Sequence, residues 1–330
     1  MTSDKSIESI EMNWEVGPIT IYGTMVKPAG SGPFPAVAMV AGSGPTDRDW
    51  NSPLLPGTNG SAHLLAEVLA RHGIASLRYD KCATGPHVRE NIMTLMGKLS
   101  MQVFADELAG AVRILASQTD IRKDRIYGLG NSEGTLHVLH YQINNPDIPL
   151  AGIILSAPPG QPVGTVAHAQ IAAQTVGLPD GAIILSLYDD AIARWQAGEP
   201  AAPDPRMPQA FQQVLQSLEA PANLPFAREL WTADAAPLLG LVSVPVLVVI
   251  GKKDIQVDWQ TDGNLLQKAV AGKENVGFFF PDNTNHILKY EPKARVELVA
   301  AEVAQHYNAA DAQLDPEAVD YILNWLNSKI

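Results

Sequence analysis

A serine between two glycines is the residue with the clearest potential chemistry in this sequence. The segment Gly130-Asn131-Ser132-Glu133-Gly134 fits the pattern G-x-S-x-G and lies between a strand-like apolar run and a helix-like run. In a sharp turn from strand to helix, the serine hydroxyl projects above the sheet and the flanking glycines relieve crowding. An ordinary helix cap on a glycine turn is the alternative. We predict from the placement of the motif that Ser132 is a nucleophile.

A serine hydroxyl is a weak nucleophile at neutral pH and needs a base to take its proton. Of the eight histidines, only His286 and His306 come after the later strand-like runs. His286 lies in a turn-rich loop directly after the last run, whereas His306 falls in a helical pattern and is expected on a helix surface. We therefore predict that His286 is the general base.

The base in turn needs a carboxylate that holds its imidazole in one tautomer. Asp254 stands just past the end of the apolar run 244–251, and Asp258 follows a little later. Open α/β sheets build their sites at the carboxyl edge, where a residue at a strand end is well placed. We predict that Asp254 is the acid, with Asp258 or Asp282 as alternatives.

Acyl transfer also requires hydrogen-bond donors for the oxyanion that forms on the substrate. One predicted donor is the backbone N–H of Glu133, directly after the nucleophile. The other is the backbone N–H of Ser43, in a loop where Gly42 and Gly44 let the chain bend freely; a plain turn is the alternative. The Asp-Arg-Asp segment 47–49 of the same loop either contacts substrate or braces the loop.

Short apolar runs of strand length must position these residues. The runs are 36–42, 74–80, 125–130, 150–156, 244–251 and 276–280. Nearly continuous apolar runs are typical of strands buried on both faces, and patterns with helical spacing separate them. This alternation predicts parallel βαβ units and a doubly wound α/β sheet. A hairpin around Gly17-Pro18 is predicted to precede it.

One long interval interrupts this alternation. Residues 161–241 contain helix-like pieces, a proline-rich joint at 198–208 and no convincing strand. The strand pattern resumes afterwards in the same style. We predict an inserted helical cap at 161–241, on a core formed by residues 1–160 and 242–330. A second independent domain is the alternative.

Composition limits the partners and the compartment. The chain has 330 residues, is 46% hydrophobic and carries a formal net charge of -12, which disfavours nucleic acid and anionic membranes as partners. The single cysteine, Cys82, excludes an internal disulfide, and no apolar run approaches the roughly 20 residues of a membrane helix. We predict a cytoplasmic protein with a small-molecule substrate and no metal or cofactor; the oligomeric state is left open. His137 and His140, three apart, are expected to pack in a helix rather than to bind metal.

Together these segments resemble the α/β-hydrolase superfamily and, more narrowly, bacterial hydrolases of the serine aminopeptidase S33-like and esterase group. The segments that carry the resemblance are "GSGPTDRD" (42–49), "YDKCATG" (79–85), "GNSEGT" (130–135), "GKKDIQV" (251–257) and "NH" (285–286). The resemblance implies an α/β-hydrolase fold and a carboxylic ester hydrolase or an aminopeptidase-like enzyme with a Ser-His-Asp triad. The chain departs from the group at Cys82-Ala83, where Arg-Gly is usual, at Asn131, where His is usual, and at Thr135, where Gly is usual.

The substrate is less constrained than the chemistry. Trp50, Met93 and Met96 are candidate substrate-binding residues, with core packing as the alternative, and they favour a hydrophobic ester or a lactone. An aminopeptidase would need a carboxylate near the scissile bond, and no cap residue is singled out among Asp189, Asp190 and Glu229. The same residues are also compatible with an acyltransferase that uses the same nucleophile and with a non-catalytic ligand-binding protein.

Overall fold

A twisted sheet organises the chain, which the computed structural model describes from residue 6 to residue 330. Its strands are β1 (Ile7–Val16), β2 (Ile19–Pro28), β3 (Phe34–Val40), β4 (Ala75–Tyr79), β5 (Ile121–Asn131), β6 (Gly152–Ser156), β7 (Val246–Val249) and β8 (Val276–Phe279). Within the described residues these form one eight-stranded sheet in the order β1-β2-β4-β3-β5-β6-β7-β8. β1 and β2 form the predicted antiparallel hairpin, β2 also pairs antiparallel with β4, and the remaining pairs are parallel.

The parallel part of the sheet follows from its apolar runs. β6 and β7 are buried along their whole length, because helices cover both faces of the sheet. The predicted doubly wound α/β fold is therefore confirmed. The carboxyl ends of β3 to β8 all lie at one edge, and the loops that carry Ser43, Ser132, Asp254 and His286 leave from that edge.

The helices fill the crossovers between strands and the chain's end. They are α1 (Ser61–Arg71), α2 (Val88–Thr94), α3 (Met101–Ser117), α4 (Glu133–Ile143), α5 (Val163–Thr175), α6 (Gly181–Gln196), α7 (Gln209–Glu219), α8 (Leu224–Thr232), α9 (Ala235–Leu241), α10 (Thr261–Ala269), α11 (Ala300–His306) and α12 (Pro316–Asn327), with a 3₁₀ turn at Arg295–Glu297. α3 and α4 pack on one face of the sheet, while α1 and α12 pack on the other. None of the helices within residues 6–330 is long and apolar enough to cross a membrane.

Five helices, α5 to α9, separate β6 from β7, and no strand occurs in this described stretch. Most of their apolar side chains form a cluster separate from the two sheet-facing clusters, and Tyr188, Trp195 and Phe211 are among its buried members. α9 differs, since its Ala235 and Leu239 belong to the main core beside the sheet. The interval is helical, as its sequence indicates; its role and boundaries as a cap remain a prediction.

Candidate active site

Ser132 occupies a strained turn between β5 and α4. Its backbone has φ 52° and ψ -121°, a region that non-glycine residues seldom adopt and that costs about 1–3 kcal/mol. A Cβ atom at Gly130 would collide with the Gly134 carbonyl oxygen, and one at Gly134 would lie 2.5 Å from the Val40 carbonyl oxygen. The spacing of the two glycines is thus required by close backbone contacts on both sides of the serine.

Asp254 and His286 are joined by a hydrogen bond. The distance from His286 Nδ1 to Asp254 Oδ2 is 2.8 Å, and both side chains are buried. The other carboxylate oxygen, Oδ1, accepts hydrogen bonds from the backbone N–H groups of Gln256 at 2.7 Å and Val257 at 3.0 Å. Asp254 is therefore fixed by its own loop and faces the imidazole with its free oxygen.

The alternative acids and the alternative base lie elsewhere. Asp258 pairs with Arg295 at 2.7 Å and accepts backbone hydrogen bonds from Gln260 and Thr261 at the start of α10. Asp282 pairs with Lys252 at 2.6 Å, and His306 is exposed at the end of α11. Of the predicted acids, Asp254 is the one that contacts His286.

The loop that carries His286 is held by two asparagine side chains. Asn285 Oδ1 accepts hydrogen bonds from the backbone N–H groups of Ile287 at 3.1 Å and Lys289 at 3.0 Å, which closes a tight turn around the histidine. Asn131 Nδ2 donates to the His286 carbonyl oxygen at 3.0 Å and to Ser156 Oγ at 3.3 Å. Because Asn131 directly precedes Ser132, this contact brings the histidine loop beside the serine turn.

The loop after β3 packs against the same turn. A Cβ atom at Gly42 would lie 3.3 Å from Ser132 Cβ, and Ser43 is exposed. Among residues 6–330, the Ser43 N–H has no protein acceptor. Glu133 is the first residue of α4, so its N–H has no acceptor inside the helix. Their assignment as oxyanion donors remains a prediction.

Arg48 braces this loop. Its guanidinium donates to Asp80 through Nε at 3.0 Å and Nη2 at 2.7 Å, and through Nη1 to Glu11 at 2.8 Å. Next to it, Asp49 pairs with Arg78 at 2.5 Å. The structure thus supports the bracing interpretation of segment 47–49, since both pairs tie the loop to β4 and its end.

A buried ion pair links the loop after β4 to the start of α4, and its lysine also contacts the loop after β3. Lys81 Nζ lies 2.8 Å from Glu133 Oε1 and donates to the Gly42 carbonyl oxygen at 2.7 Å. His137 Nε2 is 3.0 Å from the same Glu133 oxygen. Burial opposes ionisation of Glu133, but the Lys81 charge and the His137 hydrogen bond outweigh it and lower the pKa of this carboxyl to about 2. Sequence patterns did not indicate the pair, although a lysine two residues after a buried strand was a usable signal.

The remaining candidates have differing environments. Trp50 is buried in the cluster beside α1, with φ 66°, whereas Met93 and Met96 are 67% and 46% exposed. Substrate contact by these three residues remains a prediction.

Cys82 is fully buried, and burial strongly raises the pKa of its thiol, which fits a packed residue. His137 is also buried, and its ring packs at a tilt against Phe104, with ring centroids 4.6 Å apart.

The sheet order, the strained serine turn and the edge at which the loops meet define an α/β-hydrolase fold. Comparison with solved structures agrees. The chain aligns with proline iminopeptidase from Mycobacterium smegmatis at TM-score 0.56 and 16% identity, covering 97% of this chain and 98% of that one. It aligns with a thermophilic esterase from Thermogutta terrifontis at TM-score 0.52 and 16% identity, covering 98% and 99%. The protein is thus an α/β-hydrolase in fold, as the resemblance predicted.

Sequence comparison finds a relative but no matching family model. The chain is 30% identical over 282 residues to Esterase EstD of Thermotoga maritima. The matched region is 85% of this chain and 60% of that protein, so the chain spans less than two thirds of the length of this relative.

Proposed function

We propose that the protein is a serine hydrolase that cleaves carboxylic esters of small molecules through an acyl-enzyme on Ser132. The observation that carries the proposal is the 2.8 Å hydrogen bond between His286 and Asp254. A second hydrogen bond, from the Asn131 side chain, joins the His286 loop to the Ser132 turn. In the α/β-hydrolase fold, a serine on such a turn has its base and acid on later strand-end loops.

The proposed reaction starts when His286 Nε2 takes the proton of the Ser132 hydroxyl. Ser132 Oγ then bonds to the ester carbonyl carbon, and the negative charge moves to the carbonyl oxygen. The N–H groups of Ser43 and Glu133 bind that oxyanion, aided by the positive end of α4. Asp254 keeps Nδ1 protonated and stabilises the imidazolium.

The tetrahedral intermediate then collapses. The bond from the carbonyl carbon to the alkoxy oxygen breaks, and the proton held by His286 goes to the departing alcohol. A water molecule, deprotonated by His286, attacks the acyl-enzyme in the second half of the cycle. The bond from the acyl carbon to Ser132 Oγ then breaks, and the proton held by His286 goes to Oγ, which releases the carboxylic acid and restores the serine hydroxyl.

Two features support an ester over an aminoacyl substrate. The relative from Thermotoga maritima is named an esterase. Two of the three carboxylates considered for binding a free amine are engaged, because Asp189 pairs with His168 at 3.1 Å and Glu229 accepts from the Met101 N–H at 2.6 Å, while Asp190 is exposed.

We further propose that the alcohol or acyl group is apolar, as in a hydrophobic ester or a lactone. Segment 80–100 leaves the sheet at its carboxyl edge and exposes Met93 and Met96. The helices of 161–241 leave from the same edge after β6, and Gln170 donates to the Gln256 carbonyl oxygen, two residues past Asp254, at 3.1 Å. This contact supports a cap placed over the Asp254 loop.

The test combines covalent labelling with a substrate screen. A fluorophosphonate probe should label Ser132, located by mass spectrometry, and Ser132→Ala should lose both labelling and ester turnover. Ser117→Ala, at the end of α3, is the matched control and should keep both. Full ester turnover by Ser132→Ala would reject the proposal.

The screen compares acyl esters of increasing chain length, lactones and aminoacyl amides. We expect the highest kcat/KM for apolar esters or lactones. Preference for aminoacyl amides would instead identify an aminopeptidase, and product formation that depends on an added alcohol or amine would identify an acyltransferase.

A further inference from the structure

We infer that Lys81 and Glu133 are positioning residues that fix both donors of the oxyanion hole through one buried ion pair. The inference rests on the proposed function, because it concerns the Ser43 and Glu133 N–H groups of that site. It gives a role to a charged pair that the proposed proton transfers do not use.

The first half of the argument concerns the loop after β3. Lys81 Nζ donates to the Gly42 carbonyl oxygen at 2.7 Å. That carbonyl and the Ser43 N–H belong to one peptide group, which is planar and trans, so they point in opposite directions. By holding the carbonyl, Lys81 sets the direction of the Ser43 N–H.

This restraint is needed because the residues on both sides of Ser43 are glycines, which allow a wide range of backbone dihedral angles. Gly42 and Gly44 flank Ser43, and Gly44 has φ 71°, so neither neighbour restricts the backbone as a larger residue does. On the other side of Ser43, Thr46 Oγ1 donates to the Ser43 carbonyl oxygen at 2.8 Å. The peptide that carries the Ser43 N–H is thus held by Lys81 and the following one by Thr46.

The second half concerns the start of α4. Glu133 supplies the other N–H from its backbone, and its side chain accepts from Lys81 at 2.8 Å. His137, one turn further along α4, contacts the same carboxylate oxygen at 3.0 Å. The carboxylate is therefore anchored to its own helix while it holds the ammonium group that holds the Gly42 peptide.

The environment of the pair argues against a purely stabilising role. Lys81 is 3% and Glu133 6% exposed, and Lys81 Nζ lies 5.5 Å from the centroid of the Phe104 ring. Burying two charges costs desolvation free energy, so well-packed apolar residues commonly do as well for stability. What apolar residues cannot supply is a directional hydrogen bond to the Gly42 carbonyl.

The experiment measures oxyanion stabilisation directly. The variants are Lys81→Met, Glu133→Gln and the double variant, assayed for kcat, KM and inhibition by an aryl trifluoromethyl ketone. That inhibitor adds to the serine and places an oxyanion in the hole. Lys27→Met is the matched control, because Lys27 pairs with Asp120 at 2.5 Å near the start of β5, far along the strand from Ser132.

We expect Lys81→Met to lower kcat by about 10- to 1,000-fold, because removing one oxyanion donor outright costs about 10²- to 10³-fold and a misdirected donor costs up to that much. KM should change little, and ketone affinity should fall in parallel with kcat/KM. The double variant should lose no more than Lys81→Met alone, because Lys81→Met already removes the link that Glu133→Gln weakens.

The inference is overturned if the folded variants match Lys27→Met in kcat and in ketone affinity. If Lys81→Met does not fold, Glu133→Gln decides, since glutamine keeps the size and an acceptor oxygen but not the charge. Ser132→Ala separates the two proposals. Inactive Ser132→Ala with wild-type kcat in the Lys81 and Glu133 variants rejects only the positioning role, whereas active Ser132→Ala rejects the proposed function itself.

Discussion

Asn131 donates a hydrogen bond from Nδ2 to the carbonyl oxygen of His286 at 3.0 Å. The bond joins the residue before the serine turn to the backbone of the proposed base. It fixes the main chain of His286, while Asp254 fixes the ring. Position 131 holds asparagine where the group that the chain resembles usually has histidine, and the side-chain amide of this asparagine makes the contact.

Replacing Asn131 with leucine should therefore disturb the base more than the substrate site. We expect Asn131→Leu to lower kcat by about tenfold and to lower the free energy of unfolding by about 1–3 kcal/mol, because the buried His286 carbonyl loses its donor. Urea unfolding and ester kinetics measure the two effects. Ser156→Ala, which removes the other Asn131 partner, is the control and should keep kcat. A wild-type kcat in Asn131→Leu would show that the contact is catalytically neutral.

The role of Asp254 is tested by its amide analogue, Asp254→Asn. The amide oxygen can still accept from the Gln256 and Val257 N–H groups, so the loop should keep its shape. We expect kcat to fall by about 10³- to 10⁴-fold, because the imidazole loses its preferred tautomer and the charge that stabilises its protonated form. Circular dichroism checks folding. Asp258→Asn and Asp282→Asn should remain close to wild type, and a comparable loss in either would contradict the assignment.

Local sequence was sufficient to predict the serine turn and the strands around it. Gly130 closely approaches the backbone of Gly134, and Gly134 approaches the end of the neighbouring β3. Because these contacts require glycine at both positions, the G-x-S-x-G pattern was enough to predict the turn. The choice of Asp254 over Asp258 and Asp282 also followed from position, because Asp254 stands nearest the strand end.

Contacts between distant segments could not be predicted in this way. Lys81 and Glu133 are separated by 52 positions, and they meet because β4, β3 and β5 are adjacent in the sheet. No periodicity encodes that order. Likewise, the burial of Trp50 against α1 depends on how its loop folds back, and its residue type alone did not distinguish core from pocket.

Gly134 tests the steric argument for the turn. In Gly134→Ala, the new Cβ atom would lie 2.5 Å from the Val40 carbonyl oxygen, and a backbone group cannot move aside without shifting β3. We expect lower stability, by about 1–3 kcal/mol as for other overpacked sites, together with loss of ester turnover. Differential scanning calorimetry and kinetics provide the readouts.

Gly240→Ala is the matched control for this substitution. Gly240 lies in α9, where a Cβ atom would meet nothing closer than the Ala269 carbonyl oxygen at 3.6 Å. Alanine should raise stability there by about 0.5–1 kcal/mol through helix propensity. Equal melting temperatures for the two variants would show that crowding does not explain the glycine at position 134.

Glu107 should make stability depend on pH. It is fully buried in α3, and burial raises the pKa of its carboxyl to about 7, only partly offset by hydrogen bonds from Cys82 and by the Lys81 charge. In the unfolded chain the carboxyl ionises near its usual value of 4.5. Between these two values the folded protein holds a proton that the unfolded chain has released, so stability should fall as the pH rises from about 4.5 to about 7.

Glu107→Gln should remove this part of the pH dependence. The total effect is on the order of 3 kcal/mol, since each pKa unit corresponds to about 1.4 kcal/mol. We expect wild type and variant to have similar urea midpoints at pH 5 and the variant to be the more stable at pH 8. Asp106→Asn, at the exposed neighbouring position, should follow the wild-type curve. Parallel curves for wild type and Glu107→Gln from pH 5 to pH 8 would mean that Glu107 is ionised in the folded protein throughout, with Lys81 and the Cys82 N–H offsetting its burial.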